Sequence, residues 1–324
     1  MSPPIVTLTH CDDYAPVKVA ACLQKHFDLL GGMDRFVRRG DTVLIKPNLI
    51  APRSHRHATQ THPVVITELA RLLKDFGAKP FVADSPAWTN AKYCAKKLRL
   101  DEPLKKLGVP LRQLNNPVAC SIDERRTKVG ISSVALDADV IINLPKFKSH
   151  QQLVATFAVK NMFGCVCGKR KAYWHFARGR EQHFCELLLN IYRRLNPALT
   201  IVDGIMAMDG PGPIRGRTRP LGWLIAGTEP IAIERVCCRL IDMSPSDIPI
   251  IRTAEKLHLG CTASDEIQIL GDAWAGRICT DFQPAKPIPI RFSLLHVCKS
   301  FTKQIILLTK SAFGHETAKS PGKL

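Results

Sequence analysis

The stretch from Asp41 to Ala83 constrains this chain more than any other. Asp41 to Ile45 (DTVLI) reads as a short buried strand, introduced by Gly40 and stopped by Lys46-Pro47-Asn48. A polar loop follows, and Pro63 then suits a first helical position with Thr61 or His62 as the cap. Val65, Leu69, Leu72, Leu73 and Phe76 recur at helical spacing, and Gly77 closes the helix. Lys79 to Ala83 (KPFVA) is the next strand, ending in Asp84-Ser85-Pro86. Strand, helix and strand in that order argue for parallel pairing. The alternation continues with strands at Val129 to Val134, Val140 to Leu144, Ala198 to Val202 and Trp223 to Ala226. Helices fall at Phe184 to Leu195 and Glu229 to Ile241. The expected fold is α/β, a mostly parallel sheet with helices on both faces. Residues 1–282 form the core, with candidate lobes at 1–150 and 151–282.

Charge is the second constraint. Between Val140 and Arg180 there are eight Lys/Arg and no Asp or Glu: Lys146, Lys148, Lys160, Lys169, Arg170, Lys171, Arg178 and Arg180. A buried strand that empties into Lys-Phe-Lys-Ser-His stands where an open α/β sheet places its ligand. The whole chain of 324 residues carries a formal net charge of +18. That favours encounters with nucleic acid, anionic membrane or acidic metabolites and does not bear on fold. Aromatic content of 6% and the lack of a recognised DNA- or RNA-binding motif argue against nucleic acid. The N-terminus MSPPIVTLTHCDDY lacks the basic and apolar regions of a signal peptide, and no apolar run reaches the ~18 residues of a membrane span. Twelve cysteines without an export signal point to reduced thiols in a cytoplasm. Residues 283–324 form a basic tail in which Phe292, Leu294, Leu295, Val297, Phe301, Ile305 and Leu308 could share one helical face, suited to an anionic membrane surface or a partner.

The residues at strand ends supply the candidate site. Lys46 and Asn48 suit a phosphate or carboxylate, and Lys146 and Lys148 project to one side of an extended segment. His150 continues the same loop and could serve as general acid/base near neutral pH or as a metal ligand. Thr156, Lys160 and Asn161 could share a helical face, with Gly164 and Gly168 letting backbone amides approach an anion and Lys171 close behind. The expected catalytic set is therefore His150, Lys148 and Lys160. Lys46, Asn48, Lys146, Asn161, Gly164 and Lys171 are expected to bind a cofactor or substrate anion. Asp84, Asp203 and Asp209 are the candidate metal ligands, and His55, His57 and His62 form a second cluster whose spacing can serve a transition metal.

Four stretches together carry a family resemblance. They are GDTVLIKPN (Gly40 to Asn48), Thr61-His62-Pro63 with its helix, Asp139 to Gly164 ending in VKNMFG, and IVDGIMAMDGPGP (Ile201 to Pro213) followed by AGTEPIAIERVCCRLI. The chain resembles, over roughly residues 40–262, the family catalogued as domain of unknown function three-six-two. Many members carry a ferredoxin-like module with two four-iron clusters. Its C-x2-C-x2-C-x3-C spacing is absent here: Cys165 and Cys167 are one residue apart and Cys237 and Cys238 adjacent, which argues against an iron–sulfur cluster. The family pattern favours glutamate near Asp209 and aspartate near Glu229 and Glu234, so this chain departs by one methylene at each. The family is similar, more distantly, to the N-terminal part of nickel-pincer lactate racemases, where lysine and histidine residues hold a pyridinium-derived nucleotide and its metal. Lys146, Lys148, His150, Lys160, Lys171 and His175 are residue types suited to such work, an analogy at the level of fold.

The resulting expectation is a cytoplasmic α/β protein, more an enzyme than not, that binds an anionic small molecule or nucleotide-like cofactor. Redox chemistry with a partner protein and isomerisation both fit it. The alternatives are a nucleic-acid-binding protein, or a non-catalytic adaptor that docks on a membrane or redox partner through its tail.

Overall fold

The computed structural model describes residues 2–86, 89–168, 170–261 and 267–290. The sequence-predicted strand–helix–strand unit is β2 (Thr42–Pro47), α2 (Pro63–Phe76) and β3 (Lys79–Asp84). His62 caps α2, its Nδ1 accepting from Val64 N, and Gly77 ends the helix at φ +100, a left-handed turn that glycine adopts without strain. Ahead of it lie β1 (Ile5–His10) and α1 (Pro16–Leu29). After it come α3 (Ala91–Leu98), α4 (Asp101–Leu107) and β4 (Leu111–Gln113). A separate hairpin of β5 (Pro117–Ser121) and β6 (Lys128–Ser132) leads through α5 (Ser133–Leu136) to β7 (Val140–Leu144). The expected strand at Val129 to Val134 thus ends at Ser132, where the chain turns helical.

The basic stretch departs most from expectation. Lys146–His150 is a strand, β8, hydrogen-bonded to β9 (Val154–Thr156). A 3-10 helix at Val159–Cys165 and helix α6 (Arg170–Ala177) follow. Thr156 therefore lies in a strand and does not share a helical face with Lys160 and Asn161. The remaining elements are α7 (Glu181–Leu195), β10 (Leu199–Asp209), β11 (Arg217–Gly227), α8 (Pro230–Leu240), α9 (Pro249–Lys256) and β12 (Gln268–Gly271).

The main sheet runs in the order β12-β1-β11-β10-β7-β2-β3-β4, with β8 attached to β10. Its centre, from β10 through β7, β2 and β3 to β4, is parallel, and β11 is antiparallel to both its neighbours. Alternate residues of each strand feed two cores, one on each face. Val43 and Ile45 of β2 join the side chains of α1 and α2, including Phe27, Val65 and Leu69. Leu44 points the other way, into the core built with Leu188 of α7 and Val236 of α8. Burial on both faces explains why the strands read as near-continuous apolar runs. Residues 283–290 lie along the core: Gly210 N donates to Gln283 O and Ile288 N to Gln151 O. The amphipathic reading of the tail, Phe292 to Leu308, lies outside the described residues.

Candidate functional site

Parallel pairing brings the carboxyl ends of β2, β3, β7 and β10 to one rim. From β2 the sheet extends to β3 and β4 on one side and to β7 and β10 on the other, so the strand order reverses between β2 and β7. There Lys46 lies opposite Asn143 and Pro47 opposite Leu144. A crevice at such a reversal is where open α/β sheets hold their ligands.

Two lysines on this rim are paired. Lys46 Nζ lies 2.7 Å from Asp84 Oδ1 and donates to Pro47 O at 2.7 Å, both side chains being buried. Asp84 is held in turn by Leu49 N and Ser85 N. Lys146 Nζ lies 2.8 Å from Asp203 Oδ2, again buried, and donates to Tyr14 Oη at 2.8 Å. Tyr14 donates to Asp203 Oδ1, His62 N donates to Asp203 Oδ2, and the Tyr14 ring stacks on His62 with centroids 3.5 Å apart. Burial outweighs Asp203 and holds the Lys146 ammonium below the usual lysine range.

Three other lysines have no carboxylate partner among the described residues. Lys148 Nζ donates only to neutral oxygens, Asn48 Oδ1 at 2.7 Å and Thr59 O at 2.9 Å. Lys171 Nζ donates to Ser85 O. Lys160 has neither a hydrogen bond nor an ion pair among the described residues. Burial, together with Lys160, Lys146 and Lys46, pushes Lys148 well below the usual range. Lys160 is pushed down to about 8 by burial, Lys171 and Lys46. Lys171 also falls to about 8, burial and Lys46 outweighing Asp84. Lys46, Lys148, Lys160 and Lys171 thus set four lysine amines against the one carboxylate of Asp84.

His150 belongs to the same cluster, with a changed role. Its Nδ1 accepts from Gln152 N at 3.1 Å, which leaves the ring proton on Nε2. Burial, Lys160, Lys148 and His175 hold the imidazole well below its ordinary range. Burial and the neighbouring charges thus favour the neutral imidazole at His150, with Nε2 as its donor.

Buried amides tie the rim together. Asn48 Nδ2 donates to Asn161 Oδ1 at 3.0 Å, Asn161 Nδ2 to Asn143 Oδ1 at 2.8 Å and to Lys46 O, and Asn143 Nδ2 to Ala158 O. Glu234 of α8 accepts from Ala158 N and Val159 N and so anchors the start of the 3-10 helix that carries Lys160, Asn161 and Gly164. Gly164 has a steric role: a Cβ there would lie 2.6 Å from Asp84 Oδ1 and 2.7 Å from Lys46 Nζ. The structure thus brings together Lys46, Asn48, Lys148, His150, Lys160, Asn161, Gly164 and Lys171, with Lys146 alongside.

The candidate metal ligands do not converge. Asp84 and Asp203 are taken up by lysines and backbone amides, and Asp209 pairs with Arg217 at 3.2 Å and Arg219 at 3.3 Å. Among the described residues no three His, Cys, Asp or Glu side chains are placed to hold a metal ion. His55 touches His62 edge to face at 5.6 Å, and the cleft of about 390 Å³ beside it is lined by Ser54, His55, Arg56, His57 and Arg99 without a carboxylate. These residues do not fit a metal centre. Tyr14 and Asn143 are site residues that the sequence reading missed. Tyr14 is 132 positions from Lys146 and follows β1 in a turn with no local signature, whereas Asn143, a polar residue inside an otherwise apolar strand, was a signal to be had.

An α/β protein with a lysine-rich rim at its topological switch is the class that fold and site define. The chain belongs to the family described as Domain of unknown function (DUF362), whose model matches residues 43–239. It is similar to the thylakoid-associated protein sll1697 of Synechocystis sp., at 34% identity over 310 residues, covering 93% of this chain and 94% of that protein. It also bears a slight likeness to the lactate racemase apoprotein of Thermoanaerobacterium thermosaccharolyticum, at TM-score 0.43 and 10% identity, over 64% of this chain and 51% of that one.

Proposed function

We propose that the rim between β2 and β7 binds a small molecule bearing two or more negative charges and that the protein acts on it as an enzyme. One observation carries this reading: Lys148, Lys160 and Lys171 converge on the rim, and among the described residues none of the three is paired with a carboxylate. Lys148 is buried and Lys160 and Lys171 are half-buried; like charges gathered so oppose one another, and an anion of matching charge relieves that cost. His150 would add a neutral donor from Nε2. An amine held near 8, as at Lys160, suits proton transfer at neutral pH better than an ordinary lysine does. That favours proton abstraction or isomerisation over redox chemistry.

The test is a thermal-shift titration of the full chain with acetate, phosphate, citrate and pyrophosphate. Stabilisation that rises with ligand charge, and that Lys160→Met weakens, supports the reading. No stabilisation by any of the four would sink it.

A second reading concerns location. Among the described residues no helix is long and apolar enough to cross a membrane. The net charge of +18, and a relative named for its thylakoid association, favour a protein of the cytoplasm that also settles on anionic membrane surfaces. Flotation with anionic and with zwitterionic vesicles discriminates. Salt-sensitive binding to the anionic vesicles alone is expected, and equal recovery with both would refute it.

A further inference from the structure

The eleven described cysteines are free. Most are buried, and where a thiol shifts the direction is generally upward, burial being the first cause at Cys94, Cys165, Cys185 and Cys238. One thiol departs from this pattern: Cys22 is drawn down, while its neighbour Cys11 is raised, first by the Cys22 side chain and then by burial. Cys11 follows the end of β1 and is buried; Cys22 lies one and a half turns into α1 and is partly exposed. Cys22 Sγ reaches back to His10 O at 3.4 Å, and Cys11 Sγ donates to Asp13 O at 3.1 Å. The Cys22 sulfur thus lies against the backbone of the residue that precedes Cys11, where helix crosses strand, and each thiol perturbs the other.

We propose that Cys11 and Cys22 form a reversible dithiol–disulfide site, Cys22 being the sulfur attacked from solvent and Cys11 the sulfur that closes the bridge. Exposure assigns the roles, because only Cys22 can meet an oxidant. The Cys22 thiol is also drawn down from the usual thiol range by the Cys11 side chain and Thr9, with Lys25 assisting, which favours its thiolate. The co-reactant is a small-molecule disulfide. Cys22 thiolate attacks one of its sulfurs, the Cys22–S–S–R bond forms, and one thiolate leaves. Cys11 then gives up its proton and its sulfur attacks Cys22 Sγ, expelling the second thiolate. The two protein protons end on the two small thiols, and the two electrons pass from the cysteines to the oxidant. The bridge would pin the segment leading to Tyr14, which binds both Lys146 and Asp203. The proposal does not depend on the anion reading.

The experiment is incubation of the full chain with oxidised glutathione, alkylation under native conditions, and peptide mass spectrometry. The wild type is expected to yield a Cys11–Cys22 linked peptide. Cys11→Ser should stop at a Cys22–glutathione mixed disulfide, and Cys22→Ser should leave Cys11 as a free thiol. A folded wild type whose Cys22 remains alkylatable after oxidation, or whose Cys22 is bridged to a different cysteine, would overturn the proposal. Circular dichroism of each variant verifies the fold on which the comparison depends.

Discussion

Lysines of one short sequence run meet two different fates. Lys146 is closed off: Asp203 and Tyr14 occupy its donors, and all three side chains belong to one buried knot. Lys160, fourteen residues on, has no such partner among the described residues. Lys46 resembles the first, through Asp84, while Lys148 and Lys171 resemble the second. The contrast separates charges that hold the fold from charges that await a ligand. A paired buried ion is destabilising to break, whereas an unpaired one is a standing cost that only something outside the chain removes.

Substitutions on the two sides should therefore move different quantities. Asp203→Ala strands the Lys146 ammonium and should cost about 3–5 kcal/mol in chemical denaturation. A loss under ~1 kcal/mol would show that the knot is not structural. Gly164→Ala forces a methyl group against Lys46 and Asp84 and should cost about 1–3 kcal/mol by the same measurement, the range of an overpacked core. Lys160→Met should leave the denaturation midpoint unchanged or raised while affinity for pyrophosphate falls about ten-fold, or about 1.4 kcal/mol. A midpoint that drops as far as for Asp203→Ala would erase the distinction between the two groups.

The smallest effect is that of pH. Lys160 and Lys171 lie near 8 in the free protein, so both are charged below that value and lose their protons above it. An anion favours the charged forms, so affinity should hold steady below about pH 7 and fall on the alkaline side. The expected loss is about three-fold per lysine between pH 7.5 and 8.5, with proton uptake on binding near pH 8. Calorimetry in two buffers of different ionisation heat measures that uptake. Proton release instead would reverse the assigned sign.

How legible all this was in the sequence varies by element. The unit from β2 to β3 could be read almost to the residue, because Pro63, Gly77 and the apolar spacing are local signals. β8 could not: Lys-Phe-Lys-Ser-His looks like a loop by composition and is a strand only because β9 and β10 pair with it. The site was legible in its lysines and not in their pairing. Nothing near Lys146 reveals that Asp203 and Tyr14 close it off, and nothing near Lys160 reveals that no described residue pairs with it. The neutral state of His150 is likewise a product of burial and neighbouring charge, which only the folded chain creates.

The amides of the rim have one further consequence. Lys148 donates to Asn48, Asn48 to Asn161, Asn161 to Asn143, and Asn143 to Thr200 Oγ1. Every amide is satisfied only in this one sense, so the line has a direction, and inverting one group would require inverting all of them. At its head, a Lys148 that has lost its proton keeps two N–H bonds, and Asn48 and Thr59 use both. The remaining lone pair has only one way to face. Rotation of that amine is thus arrested before any reactant arrives, and the entropy of aiming it is already spent in folding.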